Sequence, residues 1–287
     1  MQIGVVFPQT ELGGDVAAVR AYGEAVEDLG FAHVLAYDHV VGADPEVHKG
    51  WNGPYDSNTT FHEPFVLFGY LAAITTMELV TGIIILPQRQ TVLVAKQAAE
   101  VDLLSGGRFR LGVGVGWNRV EYEALGKEFG DRGKRVPEQI DLLRQLWTEA
   151  SVTFDGTYEH VRGASLAPLP VQRPIPIWIG GSSPAAYRRM GRQADGWFPQ
   201  VRPGPDLEAA LAIIAEAATE AGRDPSAIGM EGQVSWRTNA VDTGVRQVEK
   251  WREARATHLS ISTMNAGYVG VDGHIAALEV AAEALLG

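Results

Sequence analysis

The sequence contains no cysteine, which excludes disulfide bonds, thiolate nucleophiles and cysteine-ligated zinc or iron–sulfur sites. Basic residues are also scarce, because 24 Lys and Arg stand against 35 Asp and Glu and give a formal net charge of -11. A nucleic-acid partner is therefore not expected, since binding a polyanion depends on basic surface. No apolar run approaches the roughly 18 residues of a membrane span, and MQIGVVFPQT lacks the pattern of a signal peptide. These features predict a cytoplasmic protein without a membrane partner.

Apolar residues, by contrast, are abundant and regularly spaced. They make up 46% of the 287 residues, enough to bury a large core in one α/β barrel or two ordinary domains. Strand-like segments alternate with helical patterns along the whole chain, at residues 3–7, 33–37, 79–86, 109–115, 175–179, 196–199, 232–236 and 259–264.

Eight successive strand–helix units predict a (β/α)8 TIM barrel rather than an open doubly wound sheet. A repeat of this extent favours a single domain over residues 1–287, with insertion loops at the carboxyl ends of the strands. The excursion at 40–62 has no helical or strand period, and a loop of that length is typically functional or disordered. A second excursion at 150–172 contains Asp155-Gly156 between strand-like flanks, which predicts a hairpin.

The chemistry of such barrels lies at the carboxyl ends of the strands. The residues that follow the predicted strands are therefore the site candidates: Gln9, Asp38, His39, Pro87, Gln88, Trp117, Asn118, Gly180, Gly181, Ser182, Ser183, Gln200, Trp236 and Asn265.

Asp38 and His39 are the strongest catalytic candidates among them. A neutral imidazole can accept or return a proton near neutral pH, and a neighbouring carboxylate could orient it. Neighbouring strand residues point to opposite sides, so both reach one ligand only if the strand has ended there. The alternative is a pair that merely ties down a loop.

The segment RPIPIWIGGSSPAAYRRM, residues 173–190, has the order strand, glycine turn and helix start. Gly180 and Gly181 allow a sharp turn and close approach to a ligand. Ser183 before Pro184 is typical of a capped helix beginning, which favours a phosphate. An ordinary capped loop explains the same pattern.

Two weaker patterns remain open. GVGVGW, residues 112–117, lacks the third glycine of a dinucleotide fingerprint. Its small residues could let a flat ring lie against the strand end, with Trp117 as a wall and Asn118 as a polar contact, or they could serve barrel packing. A metal site drawn from Asp38, His39, His62 and Glu63 lacks the usual spacing of ligating histidines, and no metal ligand is predicted.

Several motifs together resemble the bacterial luciferase-like monooxygenase superfamily, and within it the coenzyme F420-dependent oxidoreductases. They are IGVVFPQT, YDHV, LVTGIIILP, LVAKQAAEVDLLSGGRFRLGVGVGWNRVEYEALG, PIPIWIGGSSPAA and ADGWFP. The resemblance covers essentially the whole predicted barrel.

The resemblance implies a deazaflavin ring beside Asp38 and His39, with His39 exchanging a proton with the substrate. It implies phosphate contacts from Gly180, Gly181, Ser182 and Ser183. It also implies a non-prolyl cis peptide behind the ring, at Ile83-Ile84 or one residue later. Family members that oxidise sugar phosphates or alcohols carry a carboxylate where this chain has Trp117, so their substrates should not be transferred.

The hypothesis is hydride transfer between C5 of F420 and a small organic substrate held under residues 40–62. The alternative is an FMN-dependent monooxygenase that uses reduced flavin and oxygen. F420 carries an acidic tail, for which the possible basic contacts are Lys49, Arg89, Arg132 and Arg135. Two further hypotheses lie outside redox chemistry. One is a metal-dependent barrel hydrolase, and the other is a pterin or flavin carrier without catalysis. The resemblance also leads us to expect a homodimer.

Overall fold

Eight parallel strand positions close into a barrel in a computed structural model that describes residues 1–287. The strands are β1 (Gln2–Val6), β2 (His33–Ala36), β3 (Glu78–Thr81), β4 (Ile84–Ile85), β5 (Phe109–Gly114), β6 (Val152–Asp155), β7 (His160–Ala164), β8 (Ile177–Gly180), β9 (Gly196–Phe198), β10 (Gly229–Ser235) and β11 (His258–Ser262). The β3–β5 and β1–β11 pairings complete the circle, and β6 and β7 form an antiparallel hairpin outside it. The predicted (β/α)8 barrel and the hairpin are both confirmed.

The helices follow the strands and cover the outside of the barrel. They are α1 (Gln9–Leu12), α2 (Val16–Asp28), α3 (Pro64–Ala72), α4 (Thr91–Ser105), α5 (Arg119–Ala124), α6 (Arg132–Thr148), α7 (Pro184–Gln193), α8 (Pro205–Glu220), α9 (Val241–Glu253) and α10 (Gly270–Leu286). None of them combines the length and the apolar content that crossing a membrane requires.

Side-chain caps fix several helix starts. Asp15 accepts a hydrogen bond from Ala17 N at 2.9 Å and begins α2, while Glu63 accepts one from Val66 N at 2.8 Å and begins α3. Such caps satisfy backbone N–H groups that have no partner inside the helix. Residues 40–62, between β2 and α3, contain neither helix nor strand, as predicted.

α6 begins at Arg132, although a proline follows five positions later. Pro137 lies inside the helix, where its missing N–H leaves the carbonyl of Gly133 without the usual donor. The guanidinium of Arg189 in α7 donates to that carbonyl at 2.6 Å. A tertiary contact that local sequence cannot reveal therefore stabilises the first turns of α6.

The third barrel strand is interrupted between β3 and β4, at Gly82 and Ile83. The expected non-prolyl cis peptide at Ile83-Ile84 or one residue later is wrong, because the cis bonds are Ala167-Pro168 and Arg173-Pro174. Gly82 lies at the interruption, where a Cβ would lie 2.2 Å from Leu35 Cδ2, so only glycine fits against β2. The strand thus changes direction with trans peptides and a residue that has no side chain.

Charged side chains fill the amino-terminal end of the barrel interior. His33 Nε2 lies 3.0 Å from Glu231 Oε1, and Arg110 Nη1 lies 2.6 Å from Glu231 Oε2. These residues come from β2, β5 and β10, so their side chains meet across the barrel. Burial raises the pKa of Glu231, but its interactions with His33 and Arg110 outweigh burial and hold that pKa well below its usual range. A network of paired charges thus occupies this end of the barrel interior.

Gly112 in β5 offers a test of barrel packing. A Cβ there would lie 1.9 Å from the carbonyl oxygen of Thr81 in β3, so Gly112→Ala must separate two paired strands. We expect destabilisation of about 1–3 kcal/mol or more, measured by denaturant unfolding. The control is Gly69→Ala in α3, where a Cβ meets nothing within 4 Å; it should be neutral or stabilising. Equal stability of the two variants would contradict this packing.

Candidate active site at the carboxyl ends of the strands

A cavity of about 550 Å³ opens at the carboxyl ends of the central strands. Most of the predicted cofactor residues line it: Asp38, His39, Ile83, Trp117, Gly180, Gly181, Ser182 and Ser183. Tyr37, Pro54, Tyr55, Ile85, Gly116, Arg132 and Gln200 are among the other lining residues. The carboxyl ends of the strands thus bring candidates from widely separated segments into one cavity, as the barrel fold predicts.

Ile84 and Asn118 do not line this cavity. Ile84 is fully buried in the barrel core. Asn118 caps α5 by accepting a hydrogen bond from Glu121 N at 3.3 Å, and its amide donates to Val41 O at 3.4 Å. Ile84 therefore packs in the core, and Asn118 caps a helix and holds the 40–62 loop.

Asp38 is occupied by a buried ion pair. Its carboxylate accepts hydrogen bonds from Arg89 Nη2 at 2.8 Å and from Ile85 N at 3.1 Å, and Arg89 Nη1 also donates to Glu63 at 3.0 Å. Burial raises the pKa of Asp38, while Arg89 and the Ile85 N–H act in the opposite direction. Asp38 therefore connects the end of β2 to β4 and α3. This contact agrees with the alternative raised from the sequence, in which Asp38 holds a loop in place.

Aromatic side chains surround His39, and most of them come from residues 40–62. The centroid of its ring is 4.7 Å from that of Phe61, 5.0 Å from that of Tyr55 and 5.7 Å from that of Trp117. Its Nδ1 lies 3.6 Å from Oε1 of Glu121. The carboxylate beside the imidazole is thus Glu121 in α5, whereas the neighbouring Asp38 turns to Arg89.

Glu121 is the important residue that the sequence reasoning missed. Its side chain is only 1% exposed, and it accepts hydrogen bonds from Val40 N at 2.5 Å and Gln88 Nε2 at 3.0 Å. Burial raises the pKa of Glu121, but His39 and these hydrogen bonds outweigh burial and bring it below the usual value. The Asn118-x-x-Glu121 spacing resembles a capping box, but that pattern predicts a carboxylate bound to Asn118 N and not the partners Val40, Val41 and Gln88 that the structure shows.

The turn at residues 180–183 forms the opposite side of the cavity. Ser183 caps α7 by accepting a hydrogen bond from Ala186 N at 3.2 Å. The backbone N–H groups of Gly181, Ser182 and Ser183 donate to no other group of the protein. Unpaired donors at a helix amino terminus are a suitable anion site.

Of the four basic residues considered for an acidic tail, Arg132 alone lines the cavity. Its guanidinium lies 3.6 Å from the centroid of the Phe129 ring and donates to Phe129 O at 2.7 Å. Lys49 forms an exposed pair with Glu46, Arg89 binds Asp38, and Arg135 donates to Pro87 O.

The glycines of GVGVGW divide between the two roles considered for them. Gly112 and Gly114 serve packing, since a Cβ on Gly114 would lie 2.3 Å from Ile83 Cδ1. Gly116 and Trp117 line the cavity, and Trp117 contacts Trp51 of the 40–62 loop at a centroid distance of 5.6 Å. A dinucleotide turn is not formed.

The side chains considered for a metal site are dispersed among other contacts. His62 Nε2 lies 2.9 Å from Gly13 O, and Glu63 caps α3 and binds Arg89. No group of three or more His, Cys, Asp and Glu side chains is arranged to hold a metal ion.

Solved structures with the same fold cover nearly the whole chain. The F420-dependent tetrahydromethanopterin reductase of Methanopyrus kandleri superposes with a TM-score of 0.79 and 16% identity, over 99% of this chain and 98% of that one. An F420-dependent secondary alcohol dehydrogenase gives 0.78 and 19%, over 99% and 98%. A monooxygenase from Streptomyces bottropensis gives 0.76 and 20%, over 100% and 99%. These similarities establish the fold.

Sequence relatives include uncharacterised proteins and proteins named as F420-dependent dehydrogenases. An uncharacterised protein of Mycobacterium tuberculosis is 37% identical over 60% of this chain and 59% of its own length, so the match spans about three fifths of that relative. The F420-dependent hydroxymycolic acid dehydrogenase of Mycobacterium tuberculosis is 30% identical over 87% of this chain and 66% of its own length. The F420-dependent glucose-6-phosphate dehydrogenase of Gordonia bronchialis is 34% identical over 71% and 59%.

The family model described as luciferase-like monooxygenase matches residues 1–259. That stretch includes β1 to β10 and every residue discussed above as part of the cavity. The resemblance found in the motifs is confirmed: the chain belongs to the luciferase-like monooxygenase family.

Proposed function

We propose that this protein is an F420-dependent oxidoreductase that transfers a hydride between C5 of the deazaflavin and a small organic substrate. The observation that carries the proposal is the single cavity that joins the anion-binding turn at 180–183 to His39. Relatives named as F420-dependent dehydrogenases, together with the family membership, support the choice of cofactor class.

The residues of the cavity fit such a cofactor. The unpaired N–H groups of Gly181, Ser182 and Ser183 would hold its phosphate. Ile83 and Gly116 would face the ring, because they line the cavity between that turn and His39. Arg132 is the cation available to the acidic tail. When bound, F420 supplies a hydride donor or acceptor at C5.

His39 manages the proton in this proposal. Its ring lines the cavity and, with Nδ1 facing Glu121, leaves Nε2 as the nitrogen that can exchange a proton with a substrate hydroxyl or carbonyl. Tyr55 and Phe61 surround the ring and limit its contact with water. The motif resemblance places Trp117 where the sugar-phosphate and alcohol dehydrogenases of the family carry a carboxylate, so His39 is the one proton-exchanging group proposed.

Equilibrium titration with oxidised and reduced F420, and in parallel with FMN, tests the cofactor class. We expect saturable binding of F420 and a substantially weaker interaction with FMN. Gly181→Val should weaken F420 binding by about 10-fold or more, equivalent to about 1.4 kcal/mol, because a Cβ at this φ of 153° would be strained and would lie 3.0 Å from Ala186 Cβ.

The matched control is Gly204→Val, since Gly204 has a φ of 144° and also precedes a helix but lies outside the cavity. That variant should bind F420 like the parent protein. Clear FMN binding without F420 binding would overturn the proposal in favour of an FMN-dependent monooxygenase.

A further inference from the structure

Glu121 lies where it can determine which nitrogen of His39 carries the proton. Its carboxylate comes from the first turn of α5, and its Oε1 is 3.6 Å from His39 Nδ1. An ionised carboxylate only accepts hydrogen bonds, so it favours the tautomer in which Nδ1 carries a proton. Nε2, on the other edge of the ring, is then free to accept one.

The same carboxylate is fixed by groups on two sides. Oε1 accepts hydrogen bonds from Val40 N at 2.5 Å and from Val41 N at 3.3 Å, and Oε2 accepts one from Gln88 Nε2 at 3.0 Å. These donors belong to the first residues of the 40–62 loop and to the short 3-10 helix Leu86–Gln88 that follows β4. Glu121 therefore cannot change its position without releasing the start of the loop that surrounds His39.

Other polar groups near His39 are less suited to this role. Asp38 is the preceding residue, but Arg89 and Ile85 N hold its carboxylate. Tyr55 contributes its ring, and burial raises the pKa of its hydroxyl, which keeps it neutral. Asp56 lines the neighbouring space under the loop, where its carboxylate accepts a hydrogen bond from Asn58 N. Glu121 is the carboxylate that pairs with the imidazole.

We infer that Glu121 is a positioning residue, which holds the Nδ1-protonated tautomer of His39 and the start of the 40–62 loop so that Nε2 faces the cavity. It acts through His39 and needs no contact with the cofactor or the substrate. The geometry alone supports the Nδ1-protonated tautomer of His39 and the position of the start of the 40–62 loop. The effect of Glu121 on turnover rests on the proposed function.

Glu121→Gln tests the inference with little change of shape. The ¹⁵N chemical shifts of the His39 ring, measured without cofactor, should change from Nδ1-protonated in the parent to a mixture of tautomers, because an amide can donate as well as accept. With F420 and a substrate that the parent turns over, kcat should fall roughly 10-fold to 100-fold, the loss seen when a group that orients a metal-binding histidine is removed. The Kd for F420 should remain within about threefold of the parent value. A change of that size is less than half, in free energy, of the 1.4 kcal/mol that a tenfold change in Kd represents.

Glu123→Gln is the matched control, because Glu123 lies on the exposed side of the same helix. It should leave the tautomer, kcat and Kd unchanged. Should Glu121→Gln fail to fold, Glu121→Asp keeps the charge but shortens the side chain by one methylene. Its carboxylate cannot serve both Val40 N and His39, so a mixed tautomer is again expected.

An unchanged tautomer in both Glu121 variants would overturn the inference, as would a changed tautomer with unchanged kcat. Failure of the parent to bind F420 would instead overturn the proposed function, and the tautomer measurement would still decide the structural part. The two failures are therefore distinguishable.

Discussion

His39→Ala is expected to lower kcat about 10²-fold to 10⁴-fold, the contribution typical of a general acid or base. The variant removes the imidazole that lines the cavity beside Tyr55 and Trp117. The turn at 180–183, where we propose that the phosphate binds, is unchanged, so the Kd for F420 should change far less than kcat. The measurements are steady-state turnover, followed by deazaflavin absorbance, and fluorescence titration of the cofactor.

His62→Ala is the matched control for this loss. His62 lies at the end of the same loop, contacts Gly13 O and packs edge-on against Phe7, but it does not line the cavity. Its removal should cost some stability and leave kcat close to that of the parent. Undiminished turnover in His39→Ala would contradict the proton-exchanging role. A protein that carries the cofactor without catalysis would show tight cofactor binding and no turnover even in the parent.

Arg89→Met is expected to destabilise the fold by about 3–5 kcal/mol, because it leaves the carboxylate of Asp38 buried without its partner. The side chain of Asp38 is 1% exposed, so water cannot replace the guanidinium. Glu63, the other partner of Arg89, is 35% exposed and can be solvated. Denaturant unfolding of the parent and the variant measures the loss.

The double variant Asp38→Asn with Arg89→Met serves as the control, since it removes the unpaired charge and should recover most of the lost stability. Equal stability of Arg89→Met and the parent would show that the pair does not hold the end of β2.

The loss in Arg89→Met should also depend on pH. Burial raises the pKa of Asp38 in the folded protein, and removing Arg89 raises it further. A folded-state pKa above the unfolded value means that the folded state binds the proton more tightly, so this group favours folding as the pH falls. The difference in unfolding free energy between variant and parent should therefore shrink from neutral towards acidic pH. A difference that grows on acidification would contradict this sign.

The barrel was predictable because its evidence is local and repeated. Buried strand runs such as 109–115, followed by glycine turns and capped helices, specify strand–helix units, and their number specifies closure. The strand-end rule then placed His39, Trp117 and residues 180–183 in one cavity without any knowledge of tertiary contacts.

The details that escaped prediction depend on contacts between distant segments. Asp38 looked like the partner of His39, but its carboxylate pairs with Arg89, which lies 51 positions away in sequence. Glu121 reaches His39 from α5, 82 positions further along the chain. Arg189 supports α6 through Gly133 in the same way. Periodicity identifies elements and caps, but it does not specify which charged side chains meet once those elements pack.

The most direct test of the central claim is a crystal structure of the protein with F420 bound. We predict the phosphate within hydrogen-bond distance of the backbone N–H groups of Gly181, Ser182 and Ser183. The ring should lie between Ile83 and Trp117, with C5 on the side of the cavity that His39 lines. Ordered F420 density in any other cleft, with this cavity filled by solvent, would contradict the account.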